Sequence, residues 1–165
     1  MKTYTTPRLS LHILTQAYHE FIAELVNSPE WLNYISDGKT KTHAQVTEYI
    51  QKITDNPMCT YWVVQLHAAE QVPIGVITFM KREYLEHYDI GFAFLPQFAN
   101  KGYAFEATTA VINDVKSTTA HLLAVTVPNN TKSIRLLEKL GFKHDRLLLR
   151  DNETLLLYSL PIVLN

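Results

Sequence analysis

Cysteine occurs once in 165 residues, at Cys59. No intramolecular disulfide can form, and no signal-peptide pattern opens the sequence, so a reducing cytoplasm is the expected home. No apolar run is long enough to span a bilayer, and no membrane partner is expected. Neither sign of charge is in excess: 15 Lys and Arg against 16 Asp and Glu leave a formal net charge of -1. Broad nucleic-acid binding takes most of its affinity from a basic surface, so that class is excluded; a local basic patch stays open. None of the seven histidines stands in metal-ligand spacing, and no metal is expected. Among the five glycines there is neither the Gly-Lys-Ser/Thr ending of a P-loop nor a G-x-G-x-x-G. A mononucleotide cradle and a nicotinamide site are therefore not the natural readings. No repeat, low-complexity tract or linker interrupts the chain. With 47% apolar and 19% charged residues, residues 1–165 read as one globular domain with a sizeable core.

What the chain does have is alternation of two periods. Residues 8–14 alternate Leu9, Leu11 and Ile13 with polar neighbours, as a half-buried strand does. Thr15 precedes a helix carrying Phe21, Ile22, Leu25 and Val26, and Ser28-Pro29 opens a short segment with Trp31 and Tyr34. Asp37-Gly38 is a turn, and Thr42 with Gln45 has the form of a capping box for a helix reaching about Asp55. Residues 60–66, 73–80 and 88–95 read as consecutive strands, with Gly75 as a bulge signal. On the third, Ile90, Phe92 and Phe94 share one face, and Asp89, Gly91, Ala93 and Leu95 the other. The sparse stripe at Gly91 and Ala93 is either a slot for a slender ligand arm or the seat of a closely packed helix. Residues 101–117 then have helical period, 121–127 form a strand, 130–141 a helix closed by Gly141, and 142–150 with 154–160 a hairpin. This is a mixed α/β layered domain with an antiparallel front half and a strand–helix–strand crossover in the middle.

The segment Leu95-Pro-Gln-Phe-Ala-Asn-Lys-Gly-Tyr-Ala-Phe-Glu-Ala carries the most chemical information. A strand stops at Pro96 and a helix opens at about Lys101. The first amides of a helix have no internal acceptor, and the helix dipole places partial positive charge beside them. Such a start binds phosphate or pyrophosphate without a cluster of arginines. Gly102 allows close approach, and Asn100 is among the few non-glycine residues that tolerate a left-handed backbone. A second dense piece is Asn130-Thr-Lys-Ser133, with Asn130 as N-cap and Ser133 in the first turn. Both pieces follow the C-terminal ends of strands, the edge where open α/β sheets bind ligands.

Together these residues resemble the GNAT superfamily of acyl-CoA-dependent N-acetyltransferases, and within it the RimJ/RimL-like branch of ribosomal-protein N-terminal acetyltransferases. The resemblance is carried by Thr6-Pro7-Arg8-Leu9, Ile90-Gly91-Phe92, Lys101 to Ala107, and Asn130 to Phe142, in the family's order. It implies a GNAT fold: a mixed central sheet of about seven strands, helices on both faces, and a splayed central strand pair. It also implies acetyl-CoA as co-substrate and a primary amine as acceptor, with dimers common. The implied coenzyme site comprises Phe94, Leu95, Asn100, Lys101, Gly102, Tyr103, Ala104, Phe105, Asn130 and Ser133. The gap between strands 88–95 and 121–127 would hold the pantetheine arm. Two departures from the family stand out: Ala99 and Asn100 replace its usual Gln/Arg-Gly, and Leu137 stands where many members have a tyrosine acid. In this branch a serine at the place of Ser133 is the favoured partner of the leaving thiolate.

The chemistry needs a neutral amine, a donor for the tetrahedral oxyanion and a partner for the thiolate. A backbone N–H near Phe94 is the candidate oxyanion donor. Asp89 is the candidate base, with His87 and Glu86 as runners-up; the competing reading of Asp89 is a solvated strand-start carboxylate. Cys59 reads as a small packed side chain. Trp31, Tyr34 and Tyr84 either line the acceptor pocket or pack. The alternative to an enzyme is a non-catalytic acyl-CoA-binding module, and beyond it an interaction domain without cofactor.

Overall fold

Residues 2–162 are described in a computed structural model of the chain. The strands are β1 (Tyr4–Thr5), β2 (Leu9–Ile13), β3 (Cys59–Leu66), β4 (Pro73–Met80), β5 (Asp89–Phe94), β6 (His121–Thr126), β7 (Lys143–Arg150) and β8 (Glu153–Pro161). They form one eight-stranded sheet in the order β1-β2-β3-β4-β5-β6-β8-β7. The strand beyond the expected seven is β1, whose two residues are too few to show a period. All neighbours are antiparallel except β5 and β6. The helices are α1 (His19–Val26), α2 (Pro29–Tyr34), α3 (His43–Thr54), α4 (Tyr103–Val115) and α5 (Thr131–Lys139).

The two periods build two cores, one on each sheet face. On one side Ala107 and Val111 of α4 and Leu137 of α5 meet Leu9, Leu11 and Ile90. On the other, Ile22, Leu25, Val46 and Ile50 of α1 and α3 meet Val63, Val76 and Leu95. Strand β5 serves both: Ile90, Phe92 and Phe94 point to the α4 side, Ala93 and Leu95 to the α1–α3 side. Each large side chain taken fully out of water contributes about 1.5–3 kcal/mol.

Local signals decide the joints. Gln45 N donates to Thr42 Oγ1 at 3.3 Å, and Thr42 N donates to Gln45 Oε1 at 2.8 Å, so the capping box forms and starts α3. The bulge signal at Gly75 is met by a register shift beside it: Val64 pairs with Gly75, but Gln65 pairs with Pro73. Gly75 is also held bare by packing, since a Cβ there would lie 2.5 Å from the Phe94 ring.

The parallel pair opens. Asp89 is opposite Leu123, and Leu123 N donates to Tyr88 O at 3.0 Å; among the described residues no further register pair joins β5 to β6. Strand β5 stays in register with β4 through Phe94, while β6 keeps its ladder with β8. The gap between them starts one residue past Asp89.

Candidate active site

Helix α4 begins at Tyr103, two residues later than the sequence pattern suggests. The reason is local: Asn100 has φ 60° and Gly102 φ 79°, and a left-handed residue cannot continue a right-handed helix. Gly102 is the N-cap and has no side chain to satisfy the amides that follow. Glu106 N donates to Gly102 O at 3.1 Å; among the described residues, the amides of 100–105 have no protein acceptor. They line a cleft together with the dipole of α4.

The loop is braced from behind by the Thr6-Pro7-Arg8 segment. Arg8 Nη1 donates to Lys101 O at 2.9 Å, and Arg8 Nε to Glu106 Oε2 at 2.7 Å. Thr6 Oγ1 and Arg8 N both donate to Glu106 Oε1, at 2.6 and 3.0 Å. The Arg8 guanidinium also sits 4.5 Å from the centre of the Tyr103 ring. Partial burial pushes the Glu106 carboxyl up, but the bonds from Thr6 and Arg8 outweigh it and hold the group below its ordinary pKa.

The cleft has a volume of about 370 Å³ and runs between α2, the end of β5, the loop and α5. Four bases line it: Lys101 from the loop and Lys132, Arg135 and Lys139 from α5. The last three are not visible from the loop's sequence. Glu30 supplies the acidic side chain there, 3.3 Å from Lys132. Phe94 lines the cleft, and so do Asn100, Lys101, Gly102, Tyr103, Ala104 and Phe105. Leu95 does not: it is 3% exposed in the α1–α3 core, its N–H donates to Ile74 O at 2.9 Å, and its C=O accepts from Phe98 N at 3.0 Å. Because Leu95 N–H points at β4, strand alternation turns the N–H groups of Phe94 and Phe92 the other way, into the opened gap. Asn130 Oδ1 accepts from Ser133 N at 3.3 Å, so Asn130 orders the start of α5 and thereby Ser133.

A second, smaller cavity of about 120 Å³ continues past the gap over β4, β5 and β6. It shares Phe92, Ala93 and Ser133 with the cleft, and Trp31 and Ile35 border both. The sparse stripe borders both cavities at Ala93 and is covered by the α1–α3 core at Leu95, while Gly91 faces Thr78 so closely that a Cβ would lie 2.6 Å from its hydroxyl. Asp89 lies in this cavity, 2% exposed, which rules out the solvated reading. Its Oδ2 accepts from Arg82 Nε at 2.8 Å. Burial pushes the Asp89 carboxyl up and Arg82 pulls it back, with a net rise above the ordinary value. Arg82 had no signal in the sequence: a cation seven positions before Asp89 becomes its neighbour only through the β4–β5 hairpin.

The remaining candidates separate cleanly. Trp31 is 7% exposed and packs edge-on to Tyr49 at 6.3 Å between ring centres, while also bordering both cavities. Tyr34 lines the cleft. Tyr84, Glu86 and His87 line neither cavity; Tyr84 lies under the Arg150 guanidinium at 3.7 Å, and His87 beside His121 at 4.9 Å. Cys59 is half-buried and outside both cavities, with its thiol pushed up to about 11 by burial. Leu137 is 1% exposed and lines the smaller cavity.

Residues 8–143 match the acetyltransferase (GNAT) domain family. The chain belongs to the GNAT acetyltransferases. An uncharacterized N-acetyltransferase of Bacillus subtilis strain 168, YnaD, is 27% identical over 143 residues, spanning 86% of this chain and 82% of its own. The crystal structure of a GNAT acetyltransferase from Bacillus anthracis superposes with TM-score 0.80 at 25% identity, over 97% of this chain and 98% of that one. RimL, a ribosomal L7/L12 alpha-N-protein acetyltransferase solved with coenzyme A, shares the fold with TM-score 0.84 over 99% and 100% of the two chains, at 10% identity. The GNAT assignment makes this chain an acyltransferase.

Proposed function

We propose that this GNAT chain is an acetyl-CoA-dependent N-acetyltransferase of the RimJ/RimL-like type. It would transfer acetyl to a primary amine, either a protein N-terminal α-amine or the amine of a small molecule. The observation that carries this reading is the junction of a basic cleft with a small carboxylate-bearing cavity at Phe92, Ala93 and Ser133. The pyrophosphate takes the amides of residues 100–105, and the bases of α5 face its charge. The pantetheine arm runs down the opened gap and brings the thioester to the junction. The amine enters from the Asp89 side.

In this reading the amine nitrogen attacks the thioester carbonyl while both substrates are bound. The oxyanion takes an N–H of β5 at Phe94 or Phe92. The C–S bond breaks, the thiolate accepts a hydrogen bond from Ser133, and the amine proton passes to Asp89 or to water beside it. Asp89's raised pKa suits that step, since a carboxylate of ordinary pKa is a weak base. A thiol held near 11 and outside both cavities makes Cys59 unsuited to an acyl-enzyme, which favours direct attack. A thiol-release assay with acetyl-CoA and a panel of peptide N-termini, polyamines and amino acids tests the proposal. Release is expected with at least one class, α-amines being favoured near neutral pH because their pKa is about 7.7–8.0 against about 10.4 for lysine. Coenzyme binding without release for every acceptor overturns it.

A further inference from the structure

His19 is the first residue of α1 and His43 the first of α3. Their rings lie 3.9 Å apart, tilted by 34°. His19 Nε2 is 3.0 Å from the His43 carbonyl oxygen. A carbonyl can only accept, so Nε2 carries a proton, and in the neutral ring Nδ1 then holds a lone pair. That Nδ1 is buried and has no hydrogen-bond partner among the described residues, in a side chain only 12% exposed. A Glu20 carboxylate oxygen lies 3.5 Å from it. One ligand atom each from His19, Glu20 and His43 falls within 4.8 Å of the others. Two electron-pair donors thus face each other with a third alongside, an arrangement that a cation satisfies. None of the three residues lines the cleft or the smaller cavity.

We propose that His19, Glu20 and His43 form a binding site for a transition-metal dication of the zinc class, clasping the starts of α1 and α3. Two imidazoles and a carboxylate are the donor set of borderline metals, whereas Mg²⁺ and Ca²⁺ favour oxygen alone. The bond from His19 Nε2–H to a backbone carbonyl is the arrangement that fixes a ligating imidazole and leaves its other nitrogen for the metal. The exposed Glu20 side chain is free to turn toward the ion, and water completes the shell. The sequence separation of 24 between the histidines hides the site from any ligand-spacing rule; the packing of α1 on α3 makes it. Because α1 leads into α2, which carries Trp31 and Tyr34 over the cleft, the clasp would brace the cleft's helical wall.

Calorimetric titration of the full chain with Zn²⁺, and with Mg²⁺ in parallel, tests the proposal. One Zn²⁺ per chain and no Mg²⁺ are expected. Losing even an outer partner of a metal ligand lowers affinity about 10–100-fold, so His43→Ala and Glu20→Gln should each weaken Zn²⁺ by at least about tenfold. Both positions are exposed, and the variants should melt like the parent without metal. Zn²⁺ should raise the melting temperature of the parent but not of His43→Ala. His121→Ala, which breaks the other close histidine pair, should bind as the parent does. An imidazolium at His19 paired with Glu20 is the rival occupant, and it predicts no Zn²⁺ uptake. No uptake by the parent, or uptake lost in His121→Ala and kept in His43→Ala, overturns the proposal.

Discussion

Asp89 is pulled in two directions. Burial at 2% exposure favours the neutral acid, and Arg82 Nε at 2.8 Å favours the carboxylate. Desolvation wins, so the group protonates at a higher pH than an ordinary aspartate, whose pKa is about 3.9. A base must be ionised to work, so kcat should fall as pH drops through this raised value. Asp89→Asn should remove that acid limb and lower kcat by about 10²–10⁴ while leaving the KM for acetyl-CoA in place. An unchanged pH profile in this variant would remove Asp89 from the proton path. Ser133→Ala should lower kcat by a smaller factor, since one hydrogen bond is worth about 0.5–1.5 kcal/mol. Gly102→Ala works on the other substrate. At φ 79° an alanine is strained by about 1–3 kcal/mol, and its Cβ would lie 3.3 Å from Arg8 Nη2. Its signature is a raised KM for acetyl-CoA with kcat little changed, read by initial-rate kinetics.

The element that matters most is the loop-to-helix joint at the start of α4, together with its brace. Arg8 and Glu106 tie the joint to the connection between β1 and β2, and Tyr4 Oη donates to Asp114 Oδ2 at 2.8 Å further along α4. Both carboxyls are held below their ordinary pKa: at Glu106 desolvation is the largest single influence and pushes up, but the bonds from Thr6 and Arg8 together outweigh it, and at Asp114 the bond from Lys2 leads. A group whose folded pKa is depressed stabilises the fold above its unfolded pKa, about 4, and that stabilisation is lost as pH falls through the folded value. Thermal melts from neutral pH down to about pH 3 should therefore show a steeper loss for the parent than for Glu106→Gln, which starts lower and has less to lose. Parallel curves would show that the brace carries no linkage. At this scale the sequence was readable where a residue carries its own rule: the Thr42–Gln45 box, the left-handed Asn100, the bulge beside Gly75. It was not readable for β1, too short for alternation, nor for the first residue of α4, which two left-handed neighbours set.

For the whole molecule, the near-zero net charge conceals an uneven field. Lys101, Lys132, Arg135 and Lys139 gather on one cleft although they come from two separate segments. Partly exposed charges are screened over about 8–10 Å at ordinary salt. The KM for acetyl-CoA should accordingly rise with ionic strength, and Lys132→Ala and Arg135→Ala together should flatten that rise. A KM indifferent to salt in the parent would mean that the amides of the loop do the binding alone.

The layers and the order of elements follow from local pattern, because period 2 and period 3.6 are written in the residues and an amphipathic face must be covered by another. The turn before α4 is local too, since a left-handed Asn100 and Gly102 ahead of the helix leave its first amides without acceptors. Tertiary structure alone decided which side chains face each other across that frame. Leu95 turned into the core because α1 and α3 cover the sheet face it shares with Ala93, and Glu86 and His87 fell outside the cavities that Asp89 entered. Arg82 reached Asp89, Arg8 reached Glu106 and His19 reached His43 through pairings between elements. Burial and partner charge are properties of that assembled geometry, and they set a carboxyl's pKa where no local pattern can.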